Sequence, residues 1–143
     1  MPDRIIRDVI KARKAVTTSS HTTIADATRL MREHHIGALM IVDEGHLVGV
    51  FTERDVVYRV IAADKDPKTT RVATAMTKKP QTIGADRPLG HALHLMYEGG
   101  FRHVPVVDKG HPVGMVSARD ALGPDLAQFQ SDLIDRDHIG EIL

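Results

Sequence analysis

The sequence predicts a mixed α/β (α+β) fold made of two pseudo-symmetric β-α-β-β-α units packed as one module. Residues 17–55 laid on 82–120, an offset of 65 with no gap, agree at 13 of 39 positions. A repeat of this period marks one supersecondary unit that buries its apolar face against its copy. Apolar spacing also runs through the same order in both copies, from extended piece to helix to hairpin to helix. Finally, 143 residues at 42% hydrophobic suit a single compact domain with a real core. The identities sit where backbone chemistry demands them. Leu30-Met31 falls on Leu95-Met96, Asp43-x-Gly45-His46 on Asp108-x-Gly110-His111, Gly49 on Gly114, and Arg54-Asp55 on Arg119-Asp120.

In the first copy, Val16-Thr17 is a short extended piece. Thr23 with Asp26 three residues on predicts a helix N-cap, and Ile24, Ala27, Leu30 and Met31 follow at helical spacing. His34-His35-Ile36-Gly37 ends that helix. Ala38 to Val42 reads as a strand, Asp43-Glu44-Gly45 as a hairpin turn, and Leu47 to Phe51 as the returning strand. Thr52-Glu53-Arg54-Asp55 opens a second helix carrying Val56, Val57, Val60 and Ile61.

In the second copy, Asp86 and Pro88 fit the N-cap and first turn of a helix whose apolar stripe is Leu89, Ala92, Leu95 and Met96. Val104 to Val107, the turn Asp108-Lys109-Gly110 and Val113 to Val116 form the hairpin. Asp64 to Thr70 is a polar linker, and Ile6 to Ile10 resembles Val72 to Met76, so each unit has a short helical lead-in. Gly123-Pro124 cuts the last helix short. Leu126, Phe129, Leu133 and Ile134 then recur at helical spacing in a tail that must cover its stripe on its own domain or on another subunit. The expected division is 1–66 for the first repeat with its lead-in, 67–122 for the second, and 123–143 for the tail.

Composition excludes several classes of function. Formal net charge is zero with scattered Lys and Arg, so the footprint of a nucleic-acid binder is missing. Aromatics at 3% leave few stacking platforms for bases. Cysteine is absent, which removes thiol chemistry and suits a reducing compartment. No apolar run approaches membrane-spanning length and Met1-Pro2-Asp3-Arg4 opens no apolar leader, so a cytoplasmic protein with no membrane partner is expected.

These residues resemble a tandem pair of cystathionine-β-synthase-type (CBS) domains, the Bateman module, over about residues 5–122. The marks are Ile36-Gly37-Ala38-Leu39 and its counterpart Phe101-Arg102-His103-Val104-Pro105, the Asp-x-Gly hairpins with Gly49 and Gly114, and the closing Thr52-x-x-Asp55 and Ser117-x-x-Asp120. One departure is that the family's frequent proline, present as Pro105, is Met40 in the first copy. The resemblance implies two units packed by pseudo-twofold symmetry with clefts between their sheets. It implies adenosine-containing ligands such as AMP, ADP, ATP, NAD(H) or S-adenosylmethionine, and association of two modules into a flat homodimer. It also implies sensing rather than catalysis.

By the same resemblance, the repeats share each pocket. The first pocket combines Thr17, Ile36, Gly37 and Ala38 with Val116, Ser117 and Asp120. The second combines Thr82, Phe101, Arg102 and His103 with Phe51, Thr52 and Asp55. Arg102, His103, Arg54 and Arg119 stand where phosphate contact is expected. The chemistry is suitable, because a carboxylate accepts from both hydroxyls of a ribose and charged acceptors make the stronger bonds. The free N–H groups at a helix mouth favour an anion. Thr-x-x-Asp ahead of an apolar helix is equally an ordinary capping box, and both roles can hold together. Arg102 stands open between phosphate contact and a surface ion pair.

Asp43 and Asp108 read as turn residues. Among the nine histidines, His91 and His94 share a helix face, whereas His46 and His111 sit at equivalent hairpin turns. No partner completes a metal site, so surface histidine is the expectation. The leading function is a regulatory adenine-nucleotide-binding module that acts through a separate effector protein. The alternatives are a structural oligomerisation module with vestigial pockets, and an enzyme. The enzyme reading lacks a P-loop, a G-x-G-x-x-G and any oriented nucleophile.

Overall fold

The computed structural model describes residues 4–123 and 131–136. The order is α1 (Ile6–Ile10), β1 (Thr17–Thr18), α2 (Ile24–His34), β2 (Ala38–Asp43), β3 (His46–Thr52) and α3 (Glu53–Asp55), which runs on as a π-helix over Val56–Ile61. A 3₁₀ turn at Val72–Thr74 leads to β4 (Thr77–Lys78), β5 (Ile83–Gly84), α4 (Leu89–Gly99), β6 (His103–Asp108) and β7 (His111–Ser117). A 3₁₀ turn at Ala118–Leu122 follows.

Two sheets result. The first has strand order β1-β2-β3-β4 and the second β5-β6-β7, each with a parallel first pair and an antiparallel hairpin. The hairpins are copies in detail. Each closes on two residues with positive φ, Glu44 and Gly45 at 53° and 79°, Lys109 and Gly110 at 51° and 82°. This is the backbone a two-residue hairpin turn needs to match strand twist. Each also shifts register two residues before its turn-proximal Asp, at Ile41/Val42 and Val106/Val107.

The lead-ins are exchanged between repeats. Ile6 and Ile10 pack in the core of the second repeat with Ile83, Leu89, Ala92, Met96, Val104, Val106 and Val116. Val72, Ala75 and Met76 pack in the core of the first with Ile24, Ala27, Leu39, Ile41 and Phe51. The two conserved-by-repeat glycines explain how the lead-ins dock. A Cβ on Gly49 would run into Met76 and come within 3.0 Å of the Thr77 carbonyl, and one on Gly114 would meet Ile10 Cδ1 at 2.9 Å. Only glycine permits that approach.

The lead-ins also cap helices. The Thr23 hydroxyl caps α2 as expected, accepting from Asp26 N at 3.2 Å, and Ile24 N donates to the Thr70 carbonyl at 2.9 Å. At α4 the expectation of an Asp86 cap fails. Pro88 occupies the N-cap with no side-chain bond, and the Leu89 N–H goes to the Arg4 carbonyl at 2.6 Å. A backbone acceptor from the exchanged lead-in removes the need for an Asp there.

The second helix of the first repeat departs from a plain α-helix, and its apolar residues divide. Val60 is fully buried and Val56 packs against the core, whereas Val57, Tyr58 and Ile61 face outward. In the tail, residues 131–136 are helical with Leu133 and Ile134 exposed, while Leu126 and Phe129 lie outside the described residues. No helix among the described residues is long and apolar enough to cross a membrane.

Candidate functional site

Two clefts open between the repeats, of about 770 and 580 Å³, each within the range of small-ligand pockets. The first lies between Ile36, Gly37 and Ala38 on one side and Ser117, Arg119 and Asp120 on the other. The second lies between Thr52, Arg54 and Asp55 and the residues Phe101, Arg102 and His103. Sequence reasoning thus names residues on both walls of both clefts.

Four expected residues do not line either cleft. Phe51 and Val116 are fully buried in the cores, and their strand neighbours Val50 and Met115 take the cleft-facing positions. Successive side chains of a strand point to opposite faces, so an assignment one residue off inverts the surface named. Thr17 in β1 and Thr82 just ahead of β5 are exposed but line neither cleft, and their neighbours Val16 and Gln81 do.

Each cleft is closed at one end by a reciprocal capping box. Thr52 Oγ1 accepts from Asp55 N at 3.2 Å while Asp55 Oδ2 accepts from Thr52 N at 3.0 Å. Ser117 and Asp120 repeat this, with Ser117 N donating to Asp120 Oδ2 at 2.8 Å. Both carboxylates are buried at 8% exposure. The capping role is therefore present, and it orients a carboxylate edge toward each cleft.

The electrostatic setting of the two carboxylates differs. Arg59 Nε stands 3.5 Å from Asp55 Oδ1 and uses its Nη1 to donate to the Met76 carbonyl at 3.0 Å. Asp120 instead meets Arg13 through both terminal nitrogens, Nη1 donating to Oδ2 at 2.9 Å and Nη2 to Oδ1. Arg4 donates to the Asp120 carbonyl. Burial alone would raise the Asp120 pKa, but hydrogen bonds from Arg13 and Ser117 and the charges of Arg13 and Arg4 hold it below the usual carboxylate range. The hydrogen bond to Asp120 in turn raises the pKa of Arg13.

Gly37, Glu53, Arg102 and His103 line both clefts and form their common wall. The lack of a side chain at Gly37 makes room for the Glu53 carboxylate, with His103 Nε2 within 3.5 Å of the same spot. Burial lowers the His103 pKa, opposed by Glu53 and reinforced by Arg102. The shift favours the neutral imidazole, which presents one donor and one acceptor.

Arg13, Lys14, Glu53, Arg59 and Lys79 are cleft residues that sequence reasoning missed. The signal for two of them was present, because Lys14 and Lys79 are 65 apart and each lines its own cleft. His46 and His111 are exposed as expected, and they stack on each other with centroids 5.3 Å apart, His111 Nδ1 donating to the Gly45 carbonyl at 2.9 Å. His94 faces Glu98 at 3.1 Å rather than His91. Among the described residues no three His, Asp or Glu gather in a manner that could hold a metal ion.

Comparison with known proteins places this geometry in context. A family model for the CBS domain matches residues 6–62 and 72–123. The chain is 38% identical over 105 residues to the CBS domain-containing protein CBSCBSPB1 of Arabidopsis thaliana, covering 73% of this chain and 19% of that protein. It therefore spans about a fifth of that relative's length. An uncharacterized 17.7 kDa protein of Acidianus ambivalens is 35% identical over 113 residues, covering 78% of this chain and 67% of that protein. A CBS-domain protein from Burkholderia ambifaria superposes with TM-score 0.79 at 32% identity, covering 85% of this chain and 93% of that one. The CBS domain pair of protein MJ0100, solved with 5′-methylthioadenosine and S-adenosyl-L-methionine, gives TM-score 0.79 at 29% identity over 89% and 99% of the two chains.

Proposed function

The chain belongs to the CBS-domain family as a tandem pair, and from that premise we propose that it is a regulatory module binding AMP or a related adenosine-containing ligand in its clefts. NAD(H), ATP and S-adenosylmethionine are the alternatives within that class. The observation that carries the reading is the buried carboxylate paired with a hydroxyl and a helix mouth at the end of each cleft. The crystallised CBS pair of MJ0100 supports it, since both of that protein's bound molecules contain adenosine.

In this reading Asp55 and Asp120 accept from ribose hydroxyls. Gly37 and Ala38, and opposite them Phe101 to His103, supply apolar wall and backbone groups for the adenine. Arg54 and Arg119, with Arg102 between the clefts, meet the phosphate. The module turns binding into a signal only through differential affinity: a ligand shifts the arrangement of the repeats by as much as it prefers one arrangement over another. The output passes to a separate effector protein. Two copies associate through the helix after β3, where Val57, Tyr58 and Ile61 are 55%, 66% and 64% exposed, an apolar density uncommon on a free surface.

The test is thermal unfolding against AMP, ADP, ATP, NAD⁺, NADH and S-adenosylmethionine. A ligand binding only the folded state at about 100 times its Kd adds roughly 2.7 kcal/mol. A shift with one adenine compound that is lost in Asp55→Ala plus Asp120→Ala supports the reading. No shift with any of them leaves the oligomerisation scaffold, with the carboxylates acting as caps alone.

A further inference from the structure

The two clefts are copies, yet their carboxylates are unequally available. Asp55 gives Oδ2 to the Thr52 N–H at 3.0 Å and keeps Oδ1, whose nearest cation stands 3.5 Å off, beyond a good hydrogen bond. Asp120 has Oδ2 taken by Ser117 N at 2.8 Å and Arg13 Nη1 at 2.9 Å, and Oδ1 taken by Arg13 Nη2. A carboxylate offers about four lone-pair sites, and three of those of Asp120 are already taken, two of them by the Arg13 guanidinium. Cleft symmetry does not require this clamp. The position equivalent to Arg13 is Lys78, which sits in β4 and is absent from the lining of the second cleft.

Apart from Asp120, little holds Arg13 in place. Its side chain is 43% exposed, and its other acceptor, the Met115 carbonyl, is 3.4 Å away. Lys14, Arg102 and Arg119 stand in the same cleft. An anion entering there meets four cations against the two carboxylates of Glu53 and Asp120.

We infer that Arg13 gates the first cleft by ligand charge. A phosphate draws the guanidinium away from Asp120, exchanging one bidentate anion for another, and so frees the carboxylate for the ribose. An uncharged nucleoside can bond the carboxylate through its hydroxyls, but it offers the displaced guanidinium no anion in exchange for the ion pair given up. The first cleft accordingly takes phosphorylated nucleosides and refuses bare ones, while the second takes both. This rests on the adenosine-ligand reading above and adds to it the class of ligand that each cleft admits.

The experiment is calorimetric titration with AMP and with adenosine on the unaltered chain, Arg13→Ala and Arg13→Gln, each checked for folding by circular dichroism. The expected result is two AMP and one adenosine per unaltered chain. In both variants adenosine rises to two per chain, while AMP affinity at one site falls about tenfold or more, as loss of a charge-assisted phosphate contact requires. Two adenosines on the unaltered chain, or one still in both folded variants, overturns the gate and leaves the adenosine reading intact. No binding of either compound to any of the three overturns the adenosine reading and the gate with it. The Gln variant keeps the side-chain volume, so a folding defect confined to Ala leaves the test standing.

Discussion

Removing the Asp120 carboxylate is the most informative perturbation of this fold, because that group joins a cap, a repeat and a lead-in. In Asp120→Ala the 3₁₀ turn at Ala118–Leu122 loses the carboxylate half of its capping box. The Ser117 N–H, donating at 2.8 Å, is left without its charged acceptor, a loss of about 1–2 kcal/mol. Arg13 is 43% exposed, so its half of the pair is rehydrated and the Coulombic loss is discounted to under about 1 kcal/mol. The expected destabilisation is about 1–3 kcal/mol, or roughly 3–10 °C in Tm for a domain of this size. Its pH dependence follows from the depressed pKa of Asp120. The folded state holds the carboxylate more acidic than the unfolded chain does, so the stabilisation is complete above about pH 5 and is lost as pH falls through the ordinary carboxylate value near 3.9 and below. Urea unfolding of both proteins at pH 7 and pH 2.5 reads this directly. The gap between them should close in acid. A gap under about 0.5 kcal/mol at pH 7, or one that persists undiminished at pH 2.5, refutes the assignment of that stability to the ionised carboxylate.

Other substitutions test the packing and the surface. Gly49→Ala and Gly114→Ala should each destabilise by about 1–3 kcal/mol through overpacking against Met76 with Thr77, and against Ile10; denaturation midpoints unchanged from the parent would show that the lead-ins dock elsewhere. His103 should titrate below the ordinary histidine range, because burial disfavours its cation. NMR of its imidazole across pH 4–8 reads this, and a midpoint at or above about 6.5 contradicts the buried placement. That same depression makes folded stability fall as pH drops below the ordinary histidine value, since the unfolded chain then binds the proton first. Ile61→Asp should abolish self-association measured by sedimentation while leaving the monomer's stability within about 0.5 kcal/mol, the usual range for an exposed site; an unaltered oligomeric state removes that helix from the interface.

The internal copy made both hairpins, their turns and the Thr52/Asp55 and Ser117/Asp120 boxes legible, because each is specified within a few neighbouring residues; β4, two residues long and without a counterpart in the second sheet, carried no such signal. The exchange of lead-ins was not, since Ile6–Ile10 and Val72–Met76 carry the same local pattern and nothing local says which core receives which. The misassigned walls have a different cause. Phe51 and Val116 are fully buried in the cores while Val50 and Met115 line the clefts; all four are apolar, so alternation along the strand and not residue type decides which face each takes. Arg13 escaped because the matched stretch begins at residue 17, yet extending the same offset to Lys14 and Lys79 would have marked the segment. Extended that far, the comparison separates two kinds of position. Where the copies agree, as at Gly49 and Gly114, the residue answers a packing need that arises twice. Where they disagree at a cleft, as Gly37 against Arg102, Glu53 against Ala118 and Arg13 against Lys78, folding symmetry makes no demand. Those unmatched charges are what can make two clefts of one ancestry answer to different ligands.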